Sequence, residues 1–219
     1  MDNQTDALDM ELICVIVNLG MASKILKTAK KHGIHGGTIT LAKGTVNQRI
    51  WDYIGLSDVR KEILYMVADS ETAERVLDTV SLEYKLNKPD HGIAFTTSVG
   101  GRMGTKTKRC DSVERGEETM YQVITTIVEK GKAEDVIEAA VKAGSKGGTI
   151  VNGRGSGVHE TSKLFSMDIE PEKEIVIILS EAEMTESIVS AIRRELKIDE
   201  PGRGIIYVQD VNKTYGMYK

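Results

Sequence analysis

The residues of this sequence best equipped for chemistry are two short runs of glycine and arginine in its second half, Arg154-Gly155-Ser156-Gly157 and Gly202-Arg203-Gly204. A glycine lets a ligand come close to backbone N–H groups, and an arginine beside it brings a planar, permanent cation. Gly155 and Gly157 are the better candidates for ligand contact, because a loop rather than a strand follows them. Gly202-Arg203-Gly204 reads as an ordinary turn unless a ligand claims it. Gly147 and Gly148, like Gly36 and Gly37 in the first half, read as a helix C-cap and tight entry to a strand.

Other chemistries find less support. The four histidines are His32, His35, His91 and His159. His32 and His35 straddle a helix end, but no Asp, Glu or Cys follows at ligand spacing, so no metal site is expected. Cys14 lies in an apolar run and reads as a small core residue; Cys110 stands in a linker, and neither has a second cysteine nearby. No spacing of Ser, His and Asp singles out a triad. Trp51 and Tyr53 share a long loop with Ile54, and packing, with a partner interface as one setting for it, is the expected role of the two aromatic residues.

The elements that position these residues are written twice. Gly33, Gly36, Gly37, Thr38 and Ile39 recur as Gly144, Gly147, Gly148, Thr149 and Ile150. Lys61-Glu62-Ile63 recurs as Lys173-Glu174-Ile175, and Pro89, Gly92 and Ile93 recur as Pro201, Gly204 and Ile205. A register held over this span is a duplicated domain. The first copy reads as a strand at Leu12–Val17, a helix carrying Ile25, Leu26 and Ala29, and a strand at Thr38–Ala42. A loop over Gly44–Arg60 follows, then a strand at Ile63–Val67, a helix carrying Ala73, Val76, Leu77 and Val80, and a strand at Ile93–Val99. The second copy has strands at Val123–Val128, Thr149–Arg154, Glu174–Leu179 and Ile205–Val211. Its helices present Ala133, Val136, Ile137 and Ala140, then Met184, Ile188, Val189 and Ile192.

The fold class is therefore α+β: two tandem ferredoxin-like (βαββαβ) domains, each an antiparallel sheet with its helices on one face. The domains are expected at 11–104 and 119–216, with a linker at 105–118. Several strands are apolar on both faces, so association of sheets is expected within the chain, between chains, or both.

Composition agrees with this outline. The chain is 40% hydrophobic and 28% charged, as a folded soluble protein is, and with 5% aromatic residues its cores must be aliphatic. A net charge of -4 argues against general nucleic-acid binding, and the short basic run Lys106–Arg109 reads as solvated linker. Leu12–Val17 is too short to span a bilayer, and Met1–Met10 lacks the pattern of a signal peptide, so a cytoplasmic location without membrane insertion is expected.

Gly148-Thr149-Ile150-Val151-Asn152-Gly153-Arg154-Gly155-Ser156-Gly157 resembles the second strand and T-loop entry of the PII signal-transduction family, with Arg154, Gly155 and Gly157 matching its Arg-Gly-x-Gly. Pro201-Gly202-Arg203-Gly204-Ile205-Ile206-Tyr207-Val208 resembles its B-loop and following strand. The resemblance implies a regulator active in nitrogen or related metabolism, not an enzyme. It implies trimers that bind an adenine nucleotide (AMP, ADP or ATP) in clefts between subunits, many with 2-oxoglutarate, and T-loops that dock on a transporter, a metabolic enzyme or a regulator. Backbone N–H groups freed by glycine and nearby cations suit phosphate oxygens.

Carried onto this sequence, the nucleotide-contacting positions are Gly147, Gly148, Thr149, Arg154, Gly155, Gly157, Gly202, Arg203 and Gly204, with Gly44, His91 and Gly92 as first-copy counterparts. The chain also departs from the family. Ile205 and Ile93 stand where the B-loop lysine is usual, and Arg203 and His91 replace an acidic residue. The usual C-terminal Arg-x-Arg falls on Gly216 and Tyr218, or on Gly104 and Lys106, and His159 replaces the glutamine of the 2-oxoglutarate site. The T-loop is about five residues shorter than usual. Two alternative readings are a PII-fold structural or interaction protein with a decayed nucleotide site, and a CutA-like metal-binding protein.

Overall fold

The apolar run Leu12–Val17 lies within β1 (Met10–Asn18). The computed structural model describes residues 10–46, 58–99, 120–155, 162–164, 167–169 and 171–217. After β1 come α1 (Ala22–Lys31), β2 (Gly37–Val46), β3 (Asp58–Asp69), α2 (Ser70–Glu83) and β4 (Ile93–Val99). The second copy supplies β5 (Tyr121–Glu129), α3 (Ala133–Lys142), β6 (Gly147–Arg154), the short pair β7 (Ser162–Leu164) and β8 (Met167–Ile169), β9 (Glu172–Glu181), α4 (Ala182–Leu196) and β10 (Ile205–Asp210). A last short strand, β11 (Lys213–Tyr215), follows. The α+β, ferredoxin-like plan is present in both copies. Trp51, Tyr53, Ile54, Lys106–Arg109, Cys110, Gly157, His159 and the linker 105–118 lie outside the described residues.

The chain divides into two compact units, and each contains a piece of the other copy. The first unit comprises Met1–Thr40, Glu62–Thr119 and Asp210–Lys219; the second comprises Leu41–Lys61 and Met120–Gln209.

In the first unit the strand order is β3-β1-β4-β11. β1 runs antiparallel to β4 from Met10↔Val99 to Ile16↔Ile93, and β11 takes the other side of β4 from Lys213↔Thr96 to Tyr215↔Ala94. Alternate residues Ile13, Val15 and Val17 face the helices and pack with Ile25, Ala29, Val76, Leu77 and Val80. Between the buried positions of α1, Lys24, Lys27, Lys30 and Lys31 are exposed, and Lys30 and Lys31 suit the negative end of the helix dipole. Gly33, at φ +108°, ends the helix as the sequence predicts. On the sheet's opposite face Cys14, Ile16, Ile63 and Phe95 are buried as well.

In the second unit the order is β10-β5-β9-β6, extended by the Leu41–Val46 part of β2. β5 pairs with β9 from Tyr121↔Glu181 to Glu129↔Lys173, and β6 pairs with β9 from Thr149↔Ile177 to Arg154↔Glu172. The core joins Ile124, Val128 and Val176 to Val136, Ala140, Ile188 and Ile192. Met184, expected in the apolar stripe of α4, is 37% exposed.

The expected loop Gly44–Arg60 is shorter than its sequence suggests, because β2 runs on to Val46 and β3 begins at Asp58. The cause is distant in sequence. Lys43–Val46 pair antiparallel with Ile150–Gly147 of the other copy, so the backbone groups of a Gly-Thr segment find partners that no local pattern reveals.

Candidate functional site

Antiparallel pairing brings four strand ends of the second unit together: the end of β5 at Glu129, the end of β6 at Arg154, and the starts of β9 at Glu172 and β10 at Ile205. Lys130 N–H donates to the Glu172 carbonyl at 3.2 Å, and its ammonium meets the Glu172 carboxylate at 2.6 Å. Gly155 N–H donates to the Pro171 carbonyl at 3.0 Å, which closes the base of the loop after β6. A Cβ built on Gly155 would meet nothing within 4 Å. Packing therefore does not require glycine there, and the missing side chain leaves the backbone open to approach. Arg154 beside it is exposed.

The second run belongs to the turn between α4 and β10. Lys197 adopts a left-handed conformation at φ 53° and ends α4, with Ile198 N–H returning to the Arg193 carbonyl at 3.1 Å. Arg193 Nε donates to both carboxylate oxygens of Asp199, at 2.8 and 2.7 Å. Glu200 N–H donates to the Lys197 carbonyl and Arg203 N–H to the Glu200 carbonyl, at 2.9 and 3.2 Å. Gly202 and Gly204 have φ of +79° and +139°. A Cβ on Gly204 would collide with the Ile127 carbonyl, so this glycine is required by the approach of the turn to β5.

Arg203 Nε donates to Glu200 Oε2 at 3.2 Å, with both side chains about half exposed. Such a pair contributes at most about 1 kcal/mol, so the guanidinium is readily redirected to another anion. Arg203 also lines a cleft of about 410 Å³ along α3 and the end of α4. The other cations there already have carboxylates: Lys132 meets Asp135 at 2.9 Å, Lys142 meets Glu138 at 2.7 Å, and Lys197 stands 3.9 Å from Glu200. The cleft is balanced in charge and has no bias toward an anion.

The remaining candidates are placed elsewhere. Gly147 lies at the far end of β6 from Arg154, about 23 Å away along the strand. Its φ is +127°, and a Cβ there would overlap the Thr45 carbonyl. Gly148 exchanges hydrogen bonds with Thr45, its N–H donating to Oγ1 and its carbonyl accepting from Oγ1, both at 3.0 Å. A Cβ on Gly148 would stand 2.7 Å from Ile137 Cδ1. Thr149 is buried opposite Ile177 and Gly44. Gly44 is itself buried in β2, with the Lys61 side chain lying along it. These four positions are explained by sheet pairing and packing.

In the first unit the counterpart turn is filled by the chain itself. His91 Nδ1–H donates to the Tyr84 carbonyl at 3.0 Å, and Gly92, at φ +130°, approaches the Ile16 carbonyl so closely that a Cβ would stand 2.6 Å from it. Gly216 packs directly on the carbonyls of Gly92 and Leu86. The strand before it is tied to α2: Tyr215 Oη donates to Asp78 Oδ1 at 2.6 Å, and Lys213 pairs with Glu74. Burial raises the Tyr215 hydroxyl pKa well above its usual value, and the bond to Asp78 adds to the effect.

The sequence pattern alone assigns no task to the repeated Lys-Glu-Ile. The structure gives its glutamate one. Glu62 Oε2 accepts the Ala22 N–H at 2.9 Å, and Glu174 Oε2 accepts those of Ala133 and Gly131 at 2.8 and 3.0 Å. Neither α1 nor α3 has a side-chain cap of its own, so a carboxylate from the neighbouring strand fills that place in both copies. The recurrence of Glu in register was the available signal.

Among the described residues no group of three His, Cys, Asp or Glu side chains is placed to hold a metal ion, and no helix is long and apolar enough to cross a membrane.

A family model described as nitrogen regulatory protein P-II matches residues 121–218. No curated protein matches the chain. Among solved structures, the crystal structure of Arabidopsis thaliana PII bound to citrate is similar at 23% sequence identity, over 43% of this chain and 77% of that one, with a TM-score of 0.33. The family-model match falls on the second copy, over the same residues that carry the strand ends and the Gly202-Arg203-Gly204 turn, and the first copy repeats parts of its sequence pattern.

Proposed function

We propose that the chain is a PII-like signal-transduction regulator that senses an adenine nucleotide through its second copy and reports to a partner protein through the loop that follows β6. The observation that carries this reading is the placement of Arg154, Gly155, Gly202, Arg203 and Gly204 at one end of a single sheet, with the Gly155 backbone open and Arg203 held only by an exposed ion pair. Glycine N–H groups and two cations suit a polyphosphate. The first copy supports a division of labour, since its equivalent turn is occupied by Gly216. On this reading the chain acts in the cytoplasm, assembles in threes and regulates a transporter or metabolic enzyme of nitrogen or related metabolism, without catalysis of its own.

Calorimetry with AMP, ADP and ATP, with and without 2-oxoglutarate, tests the proposal on the wild type and Arg203→Ala. Saturable heat from a nucleotide, weakened by Arg203→Ala, is the expected result. No heat from any nucleotide at millimolar concentration sinks it. A second reading, a PII-fold interaction protein without a nucleotide, is favoured by Ile205, an apolar side chain 53% exposed where the family's lysine would stand.

A further inference from the structure

α1 and α3 are the same helix of the two copies, yet their exposed faces differ in sign. α3 carries Asp135 and Glu138, which meet Lys132 and Lys142 at 2.9 and 2.7 Å. At the places of those two carboxylates α1 has Lys24 and Lys27, with Lys30 and Lys31 a turn further on and no acidic residue along its length. All four lysines are exposed. At about 100° per residue they share an arc of about 120°, opposite the buried Ala22, Ile25, Thr28 and Ala29, and they cover about 10 Å of helix.

The neighbouring carboxylates do not balance this face. Glu62 of β3 caps the Ala22 N–H, and Glu83 of α2 accepts the Thr28 hydroxyl at 3.2 Å. Glu71 pairs with Arg75, Glu74 with Lys213, and Asp78 accepts from Tyr215. None of the four lysines has an ion-pair partner among the described residues. Lys27 repels Lys24, Lys30 and Lys31, each three or four residues away. The helix dipole favours Lys30 and Lys31 but opposes Lys24 in the first turn. Stability alone would not select this arrangement; an external anion gives it a use.

We propose that the lysine face of α1 is an electrostatic docking surface for an anionic membrane, met through phosphate-bearing lipid headgroups without insertion of the helix. α1 contains no arginine and no aromatic residue. It therefore lacks the bidentate fork, the stacking platform and the anchor side chains by which nucleic acids and protein partners are held. Protein interfaces are also poor in lysine. Leu19, in the turn that leads into α1, is 49% exposed, and an apolar side chain suits a headgroup layer better than a chain of phosphates. Each lysine near anionic lipid strengthens partitioning about fivefold. The proposal does not rest on nucleotide binding.

Cosedimentation with vesicles, without nucleotide, tests it on the wild type, Lys24→Gln/Lys27→Gln, Lys24→Arg/Lys27→Arg and Lys132→Gln/Lys142→Gln. The last makes the same change in net charge on α3. The wild type should bind mixed phosphatidylserine–phosphatidylcholine vesicles at low salt and ignore phosphatidylcholine alone. It should be released at about 1 M salt, where the Debye length is about 3 Å. Lys24→Gln/Lys27→Gln should bind about thirtyfold more weakly with unchanged circular dichroism, whereas the arginine and α3 variants should bind as the wild type does. A wild type indifferent to the anionic vesicles overturns the proposal, and so does an equal loss in the α3 variant. Tighter binding to a DNA duplex or to polyglutamate than to the vesicles, at equal anion concentration, gives the face to another polyanion and overturns it too.

Discussion

The Ala133 N–H at the start of α3 donates to the carboxylate of Glu174 on β9 at 2.8 Å. The same carboxylate accepts the Gly131 N–H, so one side chain closes a helix end and fixes the strand-to-helix turn. It is the cap of a helix that has none of its own, supplied across 41 residues of chain. Replacing Glu174 with alanine should lower the stability of the second unit by about 1–2 kcal/mol, and Glu62→Ala should do the same for α1 in the first. Thermal unfolding measures the loss, and hydrogen exchange should localise it to the first turn of the uncapped helix.

Among the glycines of the candidate site, Gly148 and Gly204 are required by packing and Gly155 is not. Gly148→Ala and Gly204→Ala should each cost about 2 kcal/mol, the first by pressing on Ile137 and the second through its positive φ and the Ile127 carbonyl. Gly155→Ala meets open space and should change stability by less than about 0.5 kcal/mol. Denaturant unfolding separates the two classes. A loss of nucleotide affinity in Gly155→Ala at unchanged stability would mark a ligand contact.

On the proposed function, nucleotide affinity should respond to charge at the turn. Ile205 is exposed, so Ile205→Lys costs no packing and should raise affinity about tenfold, the size of one charge-assisted hydrogen bond. Glu200→Gln removes the carboxylate that now holds Arg203 and should raise affinity about threefold. Calorimetry reads both; no gain from either variant counts against phosphates lying at this turn.

Tyr215 gives the first unit a pH dependence. Its folded pKa is raised, by burial first and then by the bond to Asp78 and the nearby Glu74. The group therefore stabilises the fold fully below the ordinary tyrosine pKa of about 10. That contribution is lost as pH rises above this value toward the raised folded one. Tyr215→Phe should lower stability by about 1 kcal/mol near neutral pH, and the gap between variant and wild type should narrow in denaturation curves taken at increasingly alkaline pH.

Burial pushes the Cys14 thiol far above its usual pKa, so it should resist thiol reagents. In a Cys110→Ser variant, labelling should proceed only at the rate at which the first unit opens. Fast modification of the native protein would contradict the buried placement of Cys14.

The helices and most strands were legible in the sequence because their information is local. Ile25 and Ala29, or Ile188 and Ile192, sit at helical spacing and are buried, and the apolar run Leu12–Val17 within β1 announces itself. The extension of β2 was not legible, because Lys43–Val46 are ordered by partners in the other copy. Gly44 illustrates the effect on the site. By sequence it sits in a loop beside a ligand; in the fold it is a sheet residue beneath Lys61. Gly147 and Gly148 open β6, whereas α3 is capped at Ala143 with Gly144 in a positive-φ conformation after it, so the helix C-cap expected of the glycine pair lies earlier in the chain. Arg203 was visible as a cation, but its pairing with Glu200 depends on a turn whose shape needs Lys197 in a left-handed conformation, which sequence alone does not specify.

The placement of β11 in the first unit sets a timetable for synthesis. Translation proceeds at about 5–20 residues per second and usually lets N-terminal domains fold first. Here the strand that flanks β4 and ties down α2 emerges after every strand of the second unit. The unit that begins first is finished last, and until then β4 waits on the ribosome with one side open. A chain stalled or cleaved before Lys213 would carry a complete second unit beside an unfinished first one, with Gly92 uncovered and Asp78 without its tyrosine.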